Sequence, residues 1–130
     1  MTPTTPITAL YAGLLALLIL GLAARVSLGR ERHRVGLGDG GHRSLERRIR
    51  THANAVENLP LALVLMLVAE LNGATALWLH GAGIGLIAGR LLHAWGLSRS
   101  SGQTFGRFVG TSLTWVIIAA LAVRLLWYGL

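Results

Sequence analysis

The sequence predicts an all-α integral membrane protein, a bundle of four helices, on three observations. Of its 130 residues 53% are hydrophobic and only 13% charged, about half the ~25% charged share of an ordinary soluble domain. The apolar residues gather into runs close to the ~20 residues that cross a ~30 Å hydrocarbon core. The polar residues fall between those runs or on one side of them. The length allows one domain, residues 1–130. There is no cysteine, which excludes a disulfide framework, a thiolate metal site and a cysteine nucleophile, so any thiol chemistry needs a thiol brought by the substrate. All twelve basic residues are arginine, against five acids. A nucleic-acid reader with that excess would rarely consist mostly of long apolar runs, and no nucleic-acid partner is expected.

The first span covers about residues 7–27. Its apolar run, Ile7–Val26, lacks the basic start of a signal peptide and is too long for one, so it reads as a retained anchor. The segment Gly36–Gly41 (GLGDGG) lacks the Lys-Ser/Thr of a phosphate loop and reads as a turn. The second span is expected at about 44–72. Its uninterrupted apolar part, Leu59–Leu71, has 13 residues, which covers only about 20 Å. The helix must therefore start upstream, with Ser44 as N-cap, and pass through His52, Asn54, Glu57 and Asn58. Pro60 removes one backbone hydrogen bond and should kink it. Polar groups at that depth should face a bundle interior rather than lipid. The third span, about 75–97, repeats Gly81, Gly85 and Gly89, a smooth stripe that favours close helix packing. A polar loop (SRSSG, 98–102) leads to the fourth span, about 105–128.

Charge placement predicts the topology. Arg25, Arg30, Arg32, Arg34, Arg43, Arg47, Arg48 and Arg50 lie in or beside the first loop, and Arg99 and Arg107 flank the third. By the positive-inside rule both loops are cytoplasmic and both termini outside. Arg124 alone approaches the opposite side, where it can snorkel. Glu70 and Asn72 are assigned an interfacial role, and the four Trp and Tyr128 read as packing or interface anchors.

The upstream half of the second helix is the main site candidate. At 100° per residue Arg43, Arg47, Arg50, Asn54 and Glu57 fall within about 80° of one another. Arginine forks take carboxylates in bidentate fashion, Asn54 offers donor and acceptor, and Glu57 can accept from an ammonium. The strip thus suits a ligand with carboxylates at one end and an ammonium or amides further in. The other reading is an ion-pair network in which Glu57 meets Arg50 or a neighbouring helix and only fixes register. Arg90 and His93, on one face of the third helix, and Arg107, at the start of the fourth, lie toward the same end. Each has a bland role, snorkelling for the arginines and packing for the histidine, but together with the strip they suggest a basic, half-buried pocket. The remaining histidines show no metal-ligand spacing.

The run RTHANAVENLP (Arg50–Pro60) resembles the signature of the MAPEG superfamily, the membrane-associated proteins in eicosanoid and glutathione metabolism. The later Gly89-Arg90-Leu-Leu-His93 resembles the family's second motif. Val35–Gly41, Leu65-Met66 and Glu70–Gly73 are similar to its bacterial inner-membrane branch, and the likeness spans nearly the whole chain. The resemblance implies a homotrimer of four-helix bundles in a cell inner membrane, with glutathione as co-substrate held in a cytoplasm-facing site between subunits. It implies glutathione contacts at Arg50, Asn54 and Glu57, with Arg47 beside them on the strip. Arg90 would be structural or touch the ligand, and His93 would line the site. Arg107 would stabilise the thiolate, and Arg25 could hold a ligand carboxylate. The chain departs from the family at Ala53, where a second basic residue is frequent, and at Asn58, where an aromatic is. Leu97 stands for a tyrosine and Phe108 for a serine.

Three functions follow as expectations. The first is a glutathione-dependent transferase or peroxidase acting on lipophilic electrophiles or lipid hydroperoxides at the membrane boundary. The second is a membrane protein that binds glutathione, a related thiol or an anionic lipid without turnover, motivated by the two missing hydroxyls. The third is a structural membrane trimer in which the strip is only an ion-pair network.

Overall fold

A computed structural model describes residues 4–100, 102 and 104–129. Four long helices follow one another: α1 (Pro6–His33), α2 (Arg43–Leu71), α3 (Ala76–Arg99) and α4 (Phe105–Gly129). Short connections make them run alternately up and down. In cross-section the bundle is a rhombus. Helices α2 and α3 face each other across its short diagonal, and α1 and α4 occupy the far corners, each packed on both α2 and α3 but not on one another. The connections at 34–42 and 100–104 therefore share one end, which carries most of the arginines. The 72–75 turn lies at the other end.

Helices α1, α2 and α4 are each long and apolar enough to cross a membrane by themselves. The sequence reading expected four such spans, and α3 falls short as an independent one. His80, Arg90 and His93 lower its apolarity, and these are the side chains it turns into the bundle, with Arg90 and His93 buried and His80 half-buried. The outer faces are apolar. Leu17 and Leu20 on α1 stay 68% and 64% exposed, which suits lipid or another apolar partner rather than water.

Helix α1 runs beyond its expected end because the arginine-rich stretch continues the helix outside the apolar segment. Arg30 and Arg32 occupy its last turn, where cations complement the helix dipole. The chain leaves it through Arg34 in the left-handed conformation, with the Arg34 and Val35 N–H groups donating to the Glu31 and Arg30 carbonyls at 3.1 and 2.9 Å. The glycine segment is a turn, with φ of +70°, +58° and +80° at Gly38, Gly40 and Gly41. Helix α2 begins one residue earlier than expected. His42 is its N-cap, not Ser44, because a turn closed by the His42 N–H on the Asp39 carbonyl (3.0 Å) delivers the chain there. Ser44 sits inside the first turn, its hydroxyl 3.4 Å from His33 Nε2. The helix continues through Pro60 to Leu71.

Water supplies little drive for helix association inside lipid, so close packing and satisfied polar groups must hold the bundle. Helices α3 and α4 meet backbone to backbone. A Cβ at Gly110 would strike the Gly89 carbonyl and the His93 amide, and one at Gly89 would lie 3.0 Å from the Gly110 carbonyl. Of the expected stripe Gly89 serves this contact and Gly85 receives the Ile117 side chain, whereas Gly81 faces open space. Gly83, outside the stripe, admits the Tyr11 ring against α3, and the Tyr11 hydroxyl lies 2.9 Å from His80 Nδ1. Glu70 closes the far end. Its carboxylate accepts the Ile7 and Thr8 amides at 2.9 and 2.7 Å, capping α1 with a side chain from α2.

Candidate functional site

Helix α2 has 29 residues, about 43 Å at 1.5 Å each, so its first turns project past a ~30 Å hydrocarbon layer. At this boundary α2, α3 and α4 enclose a chain of small cavities. The largest, about 290 Å³, lies between Asn54 and His93 on one side and Arg107, Thr111, Ser112 and Trp115 on the other. Arg107 also lines the next, about 150 Å³, with Glu46, Arg47, Arg50 and Leu97. Arg47 in turn borders a third, about 120 Å³, which holds Arg25, Arg48 and Thr51. Arg47, Arg50, Asn54, His93 and Arg107 thus line one groove, a row of cavities that share Arg107 and Arg47 as walls.

The other expected site residues are placed differently. Arg25 lies beyond Arg47, and its carbonyl accepts from Arg48 Nη1 at 3.1 Å. Glu57 is exposed on the outer face of α2 beside Val56, Leu61 and Val64 and does not line the groove of its own chain. Arg43 is likewise exposed. Arg99, expected only to flank the loop before α4, stacks on the Trp95 ring, 4.1 Å from its centre.

Arg90 is 2% exposed and lies behind the groove rather than in its wall. It ties three helices together. Nη1 donates to Asn54 Oδ1 at 2.5 Å on α2, while Nη2 donates to Thr114 Oγ1 at 2.6 Å and to the Gly110 carbonyl at 3.1 Å on α4. The planar fork is what lets one side chain serve both neighbours. This contact also orients Asn54. With Oδ1 committed to Arg90, the amide nitrogen is the end left for the groove, so Asn54 presents a donor there rather than the donor and acceptor expected from its type. Asn58 donates to the Asn54 carbonyl at 2.8 Å and accepts from Trp115 Nε1 at 3.1 Å, which fixes the upper wall.

Glu46, Thr111, Ser112 and Trp115 are lining residues that sequence reasoning did not select. Helical spacing held a signal for three of them. Glu46 precedes Arg50 by four residues, and Thr111 and Trp115 follow Arg107 by four and eight, so each pair shares a face. Ser112 is one residue off that face and had none. The two hydroxyls stand in the cavity beside Arg107, although Leu97 and Phe108 replace the hydroxyl residues of the motif. The lining is dominated by donors, three guanidinium groups and one amide, with Glu46 as its one carboxylate among the described residues. Such a wall favours a ligand rich in carboxylates.

The fold and groove define a class, four-helix membrane bundles with an arginine-lined polar site at one membrane boundary. Comparison with known proteins places it more closely. The sequence model of the MAPEG family matches residues 8–127, and the chain belongs to that family. It is 43% identical over 122 residues to inner membrane protein YecN of Escherichia coli strain K12, covering 94% of this chain and 92% of that protein. YecN of E. coli O6:H1 strain CFT073 matches to the same extent.

Proposed function

We propose that this protein is a glutathione-dependent transferase or peroxidase of a bacterial inner membrane, working at the cytoplasmic boundary on substrates that arrive from the lipid. The convergence of Arg47, Arg50, Asn54, His93 and Arg107 on one groove carries the reading. Arg47 and Arg50 take the ligand carboxylates, and the Asn54 amide donates to its peptide part. Arg107, which borders both cavities, sits against the thiol. Glutathione's thiol has a reference pKa of about 8.5, and an adjacent guanidinium raises its thiolate fraction at neutral pH. In the transferase reaction the thiol proton leaves through the open groove to water. The thiolate then attacks the electrophilic carbon, a C–S bond forms, and the leaving group departs with its electron pair. In the peroxidase reaction two thiols are oxidised to a disulfide while the hydroperoxide is reduced to an alcohol and water.

A homotrimer supports this chemistry. Glu57 faces away from its own groove on a mostly apolar face of α2, so it reaches ligand only across a subunit boundary, where it meets the ammonium. Both arginine-bearing loops face the cytoplasm on this reading, and a cysteine placed at Asp39 should be labelled only from that side.

Ultraviolet difference absorbance on adding glutathione to the purified protein tests the proposal. A thiolate band is expected. Arg107→Ala should keep glutathione bound, raise the bound thiol pKa and cut turnover with a generic electrophile at least about tenfold, or ~1.4 kcal/mol. Binding without a band would instead make this a binding protein, and no binding would leave a structural membrane protein.

A further inference from the structure

At the opposite end of the bundle α3 and α4 leave two adjoining troughs on their outer face, which share Trp78 and Ala120. One, about 700 Å³, holds Arg124 between Val123, Trp127 and Tyr128. The other, about 520 Å³, is apolar and runs past Gly81 to Ile117. Arg124 is framed by uncharged groups. Its guanidinium lies 5.0 Å from the ring centres of both Trp78 and Tyr128. Nη2 donates to the Tyr128 hydroxyl at 2.6 Å, and Nε is buried without a hydrogen bond. The acid at this end, Glu70, is committed to the Ile7 and Thr8 amides. A cation at a membrane boundary with no carboxylate partner among the described residues calls for an anion from elsewhere.

Depth identifies the anion's carrier. Ile117 precedes Arg124 by seven residues, so the apolar trough reaches about 10 Å deeper into the hydrocarbon than the charge. Charge at the boundary with an apolar channel leading inward matches a lipid, head outward and chain inward. A free anion would use Arg124 and leave the trough without purpose. The aromatic frame, Trp78, Trp127 and Tyr128, is of the kind that sits at headgroup level.

We propose that Arg124 and the α3–α4 trough form a binding site for an anionic phospholipid of the leaflet on this side, with the phosphate on Arg124 and an acyl chain against Gly81, Ala120 and Ile117. The site is separate from the glutathione groove and does not depend on it. Native mass spectrometry of the detergent-purified protein, supplied with phosphatidylglycerol or phosphatidylcholine, provides the test. The most tightly held lipid should be phosphatidylglycerol. Its occupancy should fall about tenfold in Arg124→Gln, as for loss of a charged contact, and remain unchanged in Arg99→Gln at the other end. A Cβ at Gly81 meets nothing within 4 Å, so Gly81→Leu should fold, fill the trough and displace long-chain phosphatidylglycerol while sparing the dihexanoyl form. Equal retention of the two headgroups, or Arg124→Gln holding phosphatidylglycerol as wild type does, overturns the site. If Arg124→Gln does not fold, Gly81→Leu decides alone. Undiminished long-chain binding in that variant leaves Arg124 as a simple anchor to bulk lipid phosphate and likewise overturns the proposal.

Discussion

Replacing Arg90 by methionine keeps a long side chain in the same space but removes the fork that joins α2 to α4. Three short hydrogen bonds disappear, to Asn54 Oδ1, Thr114 Oγ1 and the Gly110 carbonyl. The acceptors are not equally harmed. The Gly110 carbonyl still receives the Thr114 hydroxyl at 3.0 Å, whereas Asn54 Oδ1 loses its partner. Hydrogen bonds between helices in lipid average about 0.6 kcal/mol, and one orphaned buried acceptor adds ~1 kcal/mol or more. The expected destabilisation is therefore about 2–3 kcal/mol, well below the sum of gas-phase bond strengths. Arg90→Lys should recover less than half, because a point charge cannot reach both helices as a planar fork does. Equilibrium unfolding in mixed micelles measures both variants, and Thr114→Val completes a double-mutant cycle with Arg90→Met. Coupling of at least about 0.5 kcal/mol is expected, the threshold above which residues are held to interact. An Arg90→Met protein as stable as wild type, or Arg90→Lys indistinguishable from it, would refute the tie between the three helices.

On the proposed glutathione reading, Glu57→Gln should weaken glutathione binding by about 1–3 kcal/mol, the range for a charged hydrogen bond, with the oligomeric state by mass measurement unchanged from wild type. Lost assembly with unchanged affinity per folded chain would instead assign Glu57 to register. Glu70→Ala should cost about 1 kcal/mol, as for other lost helix caps, and hydrogen exchange should speed up at the Ile7 and Thr8 amides before the rest of α1. Uniform exchange along α1 would show that Glu70 is not its cap. Gly110→Leu should prevent α3 and α4 from closing and abolish folded protein in detergent extracts, since the new side chain meets backbone atoms that cannot move aside. A Gly110→Leu protein that folds would show that the two helices do not meet backbone to backbone at Gly89 and Gly110.

The sequence by itself determined the number, type and order of the elements. Long apolar runs in a chain with few charges read as membrane helices, because within lipid a helix satisfies its own backbone hydrogen bonds. The short apolar run before Asn72 forced α2 upstream through its polar half, and helical spacing then aligned Arg47, Arg50 and Asn54. Those conclusions need only periodicity and length. The sequence could not say which face of that strip looks inward, since a sweep of about 80° is compatible with more than one neighbour. Packing against α3 and α4 turned Asn54 to Arg90, left Glu57 on the outside and brought Glu46, Thr111 and Ser112 into the groove. Tertiary structure also decided the roles of two charges whose residue type is ambiguous. Arg90 became a bolt between helices because α3 and α4 approach through glycines close enough for its fork to reach Thr114 and the Gly110 carbonyl. Glu70 became the cap of α1 because the up-down order of the helices returns the end of α2 to the start of the chain. Both depend on which helix lies alongside which, a property of contacts distant in sequence that no local pattern encodes.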